Sequence, residues 1–311
     1  MSPTDSAVTT VALRKHYGRR PALRGIDLDI PRGSVFGVIG PNGAGKTTTM
    51  RILLDLLRPS GGEVRVLGET PRTGGPALRR RIGYLPGELT LQGRVTGRSL
   101  LAHYAEISGG VRAGRIPELA ERLGLDLDVH VRKLSKGNKQ KLGIVQAFQH
   151  EPELLVLDEP TSGLDPLVQA EFLRMVGEAR ENGQTVFLSS HVLSEIQQAA
   201  DRVAVLRDGE IVSVSDVETL RRRAARRVSV ALRGADPARV TAALGAVGGL
   251  QDLHVDDGDP VRATATLAGE MQPLLSALTG FHVADLIAGE PDLEESVLGL
   301  YRAEAVQGGA R

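Results

Sequence analysis

The 311-residue chain carries 38 basic and 38 acidic side chains, so its net charge gives no electrostatic reason to expect nucleic acid as a partner. It has no cysteine, which excludes disulfides and thiolate metal sites and agrees with a reducing compartment. The opening residues, MSPTDSAVTT, lack the regions of a secretory signal, and no apolar run approaches the ~20 residues that span a bilayer; a soluble, cytoplasmic protein is expected, with any membrane role left to a partner chain.

Up to about residue 220, apolar β-branched runs alternate with helical patterns, which predicts an α/β domain with a largely parallel sheet. SVFGVI (34–39) reads as a buried strand, followed by a glycine-rich turn and the helix KTTTMRILLDLL. EVRVLG (63–68) and RIGYLP (81–86) read as further strands, and residues 96–124 as helix interrupted at Gly109–Gly110. LSKGNKQKL (134–142) has a small polar residue, a glycine and an amide just before an amphipathic run, the pattern of a helix start that favours an anion. ELLVLDEP (153–160) and QTVFLSS (184–190) are short apolar strands ending in polar residues, and RVAVLRDGEIVSV (202–214) is a hairpin turned at Asp208–Gly209.

RRRAARR (221–227) reads as a basic, solvated linker, with a contact to membrane lipid or a partner chain as the alternative. The pattern then restarts, with strands at 228–232, 251–255, 261–267 and 282–287 and helices at 237–247, 270–279 and 292–303. That order is β-α-β-β-α-β plus one helix, a ferredoxin-like α+β arrangement without a catalytic cluster.

GPNGAGKT (40–47) fits GxxxxGK[ST] between a predicted strand and a predicted helix, which is the setting its chemistry requires. Glycines let backbone N–H groups converge on a phosphate, Lys46 reaches the β- and γ-phosphates, and the Thr47 hydroxyl ligates Mg²⁺. Asn42, Gly43, Gly45, Lys46, Thr47 and Thr48 are the expected contacts to a nucleoside triphosphate. Asp158 ends an apolar strand beside this cradle and is positioned to hold Mg²⁺ through water. Glu159, on the other face of that strand, is the candidate general base for an attacking water. His191 closes the next strand and is a candidate contact to the γ-phosphate or the water.

Taken together and in this order, GPNGAGKTT, LSKGNKQKL, LLVLDEP, SGLDP (162–166) and SSH (189–191) resemble the nucleotide-binding subunit of an ABC transporter, over about residues 8–215. The resemblance implies a P-loop ATPase domain over 1–220 with a helical subdomain at about 89–145, and an accessory domain at 228–311. It implies ATP and Mg²⁺ as cofactors, and two copies docked head to tail. Ser135, Gly137 and Asn138 of one copy would then cap the γ-phosphate held by the other, and Asp165 would link the two sites. Tyr17 would stack on adenine, and His191 would be the switch histidine. Two positions depart from the family pattern. Gly87 and Glu88 follow IGYLP where a metal-touching glutamine is usual, with Glu88 as the substitute ligand, and Lys136 and Asn138 replace a glycine and a glutamine.

A single cassette, no membrane span and an appended α/β tail ending in EESVLGLYR (294–302) resemble bacterial export ATPases of the daunorubicin-resistance type. This implies export of a drug, antibiotic or other small molecule through a separate transmembrane subunit, gripped by residues 84–124, with the chain peripheral on the cytoplasmic face. The alternatives are an importer ATPase, whose tail would hold many short strands, and a soluble ABC ATPase of translation or DNA repair. A guanine-specific switch is disfavoured, because Lys141 stands where the NKxD motif has its carboxylate.

Overall fold

The computed structural model describes residues 5–91, 93–219 and 226–289, and the chain divides into two compact units, Met1–Val214 and Ser215–Arg311. The first opens with two long strands, β1 (Ser6–Tyr17) and β2 (Arg20–Pro31), then β3 (Val35–Ile39), α1 (Lys46–Leu53) and β4 (Gly61–Val66). After these come α2 (Pro71–Arg80), β5 (Ile82–Leu85), α3 (Gly97–Ile107), α4 (Arg115–Arg122) and α5 (Lys136–Phe148). The unit closes with β6 (Leu154–Asp158), α6 (Pro166–Glu181), β7 (Thr185–Ser190), α7 (Leu193–Ala199), β8 (Arg202–Arg207) and β9 (Glu210–Asp216).

Strands β3, β6 and β7 are buried along their whole length, which is why their centres are continuous apolar runs rather than alternating ones, while β6 and β7 end in buried polar residues, Asp158 and Ser189–Ser190. They lie inside a six-stranded sheet ordered β5-β6-β7-β3-β8-β9, parallel from β5 to β8. The predicted strand at 63–68 does not join this sheet. As β4 it pairs antiparallel with β1 in a separate three-stranded sheet, β2-β1-β4. Ile26 and Ile30 of β2, Met50 and Leu53 of α1, and Phe36, Val156 and Phe187 of the parallel sheet share one core. Phe36 and Phe187 meet with ring centroids 6.2 Å apart. The helix predicted over 46–57 stops at Leu53, and the break at Gly109–Gly110 (φ 96 and 106) separates α3 from α4.

The second unit runs β10 (Arg226–Arg233), α8 (Pro237–Gly245), β11 (Leu250–Asp256), β12 (Val261–Leu267), α9 (Gln272–Leu278) and β13 (His282–Ala288). Its sheet is ordered β11-β12-β10-β13, with β12 antiparallel to both β10 and β11. This is the ferredoxin-like order, built over a core of Val228, Val230, Leu232, Val240, Leu244 and Leu274. Arg226 and Arg227, read from the sequence as linker, open β10 and pair with Leu267 and Thr266, because the strand needs them to complete its ladder against β12. The rest of the basic run and the helix expected at 292–303 lie outside the described residues. Among the described residues no helix is long and apolar enough to cross a membrane.

Candidate nucleotide site

The candidate residues gather where β3, β6 and β7 end, the edge of a parallel sheet where ligands bind. Two glycines shape the loop from β3 into α1. A Cβ on Gly40 would lie 2.1 Å from the Leu206 carbonyl oxygen. Gly45 has φ 116, and a Cβ there would lie 2.6 Å from Leu23 Cδ2. Asn42 and Gly43 form the exposed crest of the loop. Helix α1 starts without a side-chain cap and without an acidic residue in its first turn, so its leading N–H groups, those of Lys46, Thr47 and Thr48, are left for an anion.

Lys46 is 6% exposed. Its ammonium donates to the Gly40 carbonyl at 2.6 Å and lies 3.4 Å from Glu159 Oε1, partners that a buried cation requires. The Thr47 hydroxyl donates to Asp158 Oδ2 at 2.7 Å. Asp158, 1% exposed, accepts at its other oxygen from Ser189 Oγ at 2.6 Å. Ser189 Oγ in turn accepts from the Glu159 N–H at 3.0 Å, so one hydroxyl orients two neighbouring acidic residues. Sequence reasoning did not single out Ser189, although it stands inside the quoted SSH. Glu159 sits at φ 48, and its Oε2 lies 2.6 Å from His191 Nδ1 and accepts from the His191 backbone N–H at 3.3 Å. The His191 side chain remains 61% exposed.

The helix-start motif is built as its sequence suggests. Ser135 caps α5, accepting from the Asn138 N–H at 3.2 Å, and the first turn carries no acidic residue. Gly137 packs against the SGLDP loop, where a Cβ would come 2.8 Å from the Gly163 carbonyl oxygen. Asp165 caps α6, accepting from the Val168 N–H at 3.1 Å. Among the described residues no hydrogen bond or ion pair joins Ser135, Gly137, Asn138 or Asp165 to residues 40–48.

Two further candidate positions lie at the surface. Tyr17 is a surface residue at the end of β1, 48% exposed, with Lys15 Nζ 5.3 Å from its ring centroid. Glu88 is exposed and makes no hydrogen bond or ion pair among the described residues, and it does not group with Asp158 and Glu159 as a third acidic ligand. It is Gly87 that approaches the site, where a Cβ would lie 3.1 Å from Asp158 Oδ2. Beside it, burial pushes the Tyr84 phenol above its usual pKa, and the nearby Asp158 charge adds to the shift.

Fold and site together define a P-loop nucleotide-binding cassette. The family model described as "ABC transporter" matches residues 23–162. The daunorubicin resistance ATP-binding protein DrrA3 of Streptomyces coeruleorubidus is 35% identical over 305 residues, covering 95% of this chain and 96% of that one. The bacitracin transport ATP-binding protein BcrA of Bacillus licheniformis is 37% identical over 222 residues, 70% of this chain and 72% of that one. A solved ATP-binding subunit of an ABC transporter superposes with a TM-score of 0.66 at 30% identity, covering 70% of this chain and 92% of its own. The chain belongs to the ABC transporter family and is an ATP-binding, ATP-hydrolysing subunit.

Proposed function

We propose that this subunit powers export of a drug or antibiotic through a separate transmembrane subunit, working as a pair of copies on the cytoplasmic face of the membrane. The likeness to DrrA3 runs through the accessory unit as well as the cassette, which supports the export subgroup over an importer or a soluble ATPase. In this reading residues 1–220 are the ATPase domain with a helical subdomain at about 89–145, residues 84–124 grip the membrane partner, and residues 228–311 stabilise the subunit pair or restrain its opening.

The contact that carries the catalytic reading is the chain Lys46–Glu159–His191 beside the pair Thr47–Asp158. Lys46 binds the β- and γ-phosphates together with the N–H groups of the 42–48 loop, and Tyr17 offers its exposed ring to adenine. Glu159 faces the Lys46 ammonium, while Asp158 is held by the hydroxyls of Thr47 and Ser189. The hydroxyl of Thr47 and the carboxylate of Asp158 are hard oxygen donors that suit Mg²⁺, which supplies charge neutralisation to the β- and γ-phosphates. Glu159 takes the proton of the attacking water, and His191 holds its carboxylate in place. Ser135, Gly137 and Asn138 of the second copy close the γ-phosphate from the far side, and Asp165 connects the two sites.

Purifying the native chain under gentle detergent tests this. The expected result is a stoichiometric multi-span membrane protein and an ATP-dependent pairing of the chain. Co-purification with ribosomes or DNA instead, with no membrane subunit, would refute it.

A further inference from the structure

Gln140 belongs to the LSKGNKQKL run but not to the part that meets phosphate in the reading above. It lies on α5 and is 4% exposed. Its Nε2 donates to the Pro160 carbonyl at 2.9 Å and to the Glu159 carbonyl at 3.3 Å. The Glu159 oxygen also accepts from the Ser162 N–H at 3.2 Å, whereas the buried Pro160 oxygen has no other donor among the described residues. A buried carbonyl deprived of its donor is strongly disfavoured, so this amide is not readily replaced.

The same helix touches the same loop a second time. Gly137 closes on the Gly163 carbonyl, and the aliphatic part of Lys136 lies along Gly163. The segment 159–163 is therefore fastened to α5 at both ends. Glu159 is gripped from two directions, its N–H by Ser189 and its carbonyl by Gln140. The lid residue Ser135 and Gln140 are five residues apart on one helix, about 7.5 Å along its axis, too short a span to flex.

We propose that Gln140 is a positioning residue that joins the lid offered by α5 to the second copy and the general base of its own chain into one rigid piece. Closure of the lid over the partner's nucleotide then carries Glu159 into line over the chain's own nucleotide, and the two sites fire together. The inference rests on the paired reading above. Its physical basis is a single element whose position both sites bias, which is the requirement for coupling between separate sites.

Two variants test it in the complete transport complex. Gln140→Met keeps the length and removes the donor, and Gln140→Glu keeps the shape and sets an acceptor against the two carbonyls. Three quantities are read for each: ATP binding without Mg²⁺, kcat, and the Hill coefficient for ATP. Thermal melting identifies the variant that remains folded at the assay temperature. The expected result is ATP affinity within about twofold of wild type and kcat lower by about 100-fold, the scale of a catalytic group misplaced by an ångström. The Hill coefficient should fall from above one to one. A lower kcat with an unchanged Hill coefficient would overturn the coupling, since Gln140 would then support only its own Glu159. Unchanged kcat and Hill coefficient in a folded variant would overturn it outright. Wild-type enzyme with a Hill coefficient of one and a rate per molecule constant on dilution would sink the paired reading itself, a result recognisable before any variant is made.

Discussion

Replacing Glu159 by glutamine keeps the side chain's volume and removes its charge and its capacity to take a proton. Glu159 Oε2 lies 2.6 Å from His191 Nδ1, and an amide at that position still forms a hydrogen bond to the ring, so the geometry is retained. General-base catalysis contributes about 10²- to 10⁴-fold, which at 1.36 kcal/mol per decade is about 2.7–5.5 kcal/mol of barrier. ATP binding responds in the opposite direction. Glu159 Oε1 is 3.4 Å from Lys46 Nζ, with the side chains only 20% and 6% exposed. At an effective dielectric constant of about 20 that pair attracts by about 5 kcal/mol gross, most of it offset by desolvation. The substitution frees Lys46 for phosphate and removes one negative charge next to an incoming polyanion. Glu159→Gln should therefore lower turnover by about 10²- to 10⁴-fold while ATP affinity holds or rises, and the ATP-bound pair should persist. Phosphate release, equilibrium nucleotide binding and gel filtration with ATP read the three effects. Turnover within threefold of wild type would remove Glu159 as the base, and equal losses of turnover and ATP affinity would make it merely structural.

Gly45→Ala should abolish ATP binding and destabilise the cassette by about 1–3 kcal/mol, because it needs φ 116 and puts a methyl 2.6 Å from Leu23 Cδ2; isothermal titration and urea melts check both. Phe187→Ala empties the shared core and should cost about 3–5 kcal/mol in the same melts without altering the nucleotide contacts directly. His150 has both ring nitrogens buried, and burial, partly opposed by the Ile82 backbone, holds its pKa below the usual 6.5. The unfolded chain therefore binds a proton that the folded chain resists. This contribution to stability is present above about pH 6.5 and is lost as pH falls further. The urea midpoint of wild type should drop between pH 7.5 and pH 5.5 by more than that of His150→Asn, and equal drops would contradict the assignment. Deleting residues 221–311 should weaken ATP-dependent pairing and transport while the remaining cassette still binds ATP, and pairing and transport unaltered by the deletion would free the second unit from that role.

Much of the cassette was legible in the sequence because its chemistry is local. The run from Gly40 to Thr48 carries its own loop and helix start, and the centres of β3, β6 and β7 are unbroken apolar runs because both their faces are covered. In the second unit, β-α-β-β-α-β could be read for the same reason, each helix and strand announcing itself by its own period. The antiparallel pair β1–β2 was harder to see. Its register shifts at several points, and Ala12 takes φ 46, so the alternation that marks a half-buried strand is interrupted. Glu88 marks a point where residue type gives no position: it is exposed, and the neighbour that approaches Asp158, Gly87, has no side chain.

The sequence by itself determined which groups the site contains: an ammonium, two adjacent carboxylates, hydroxyls, and two uncapped or lightly capped helix starts. Only the tertiary structure decided which of them meet. Ser189 reaches Asp158 across 31 residues, Gln140 reaches Pro160 across 20, and Lys46 at the start of α1 finds Glu159 just beyond the end of β6. A buried amide, hydroxyl or ammonium must find its partner wherever packing delivers one, and residue type alone does not record where that is.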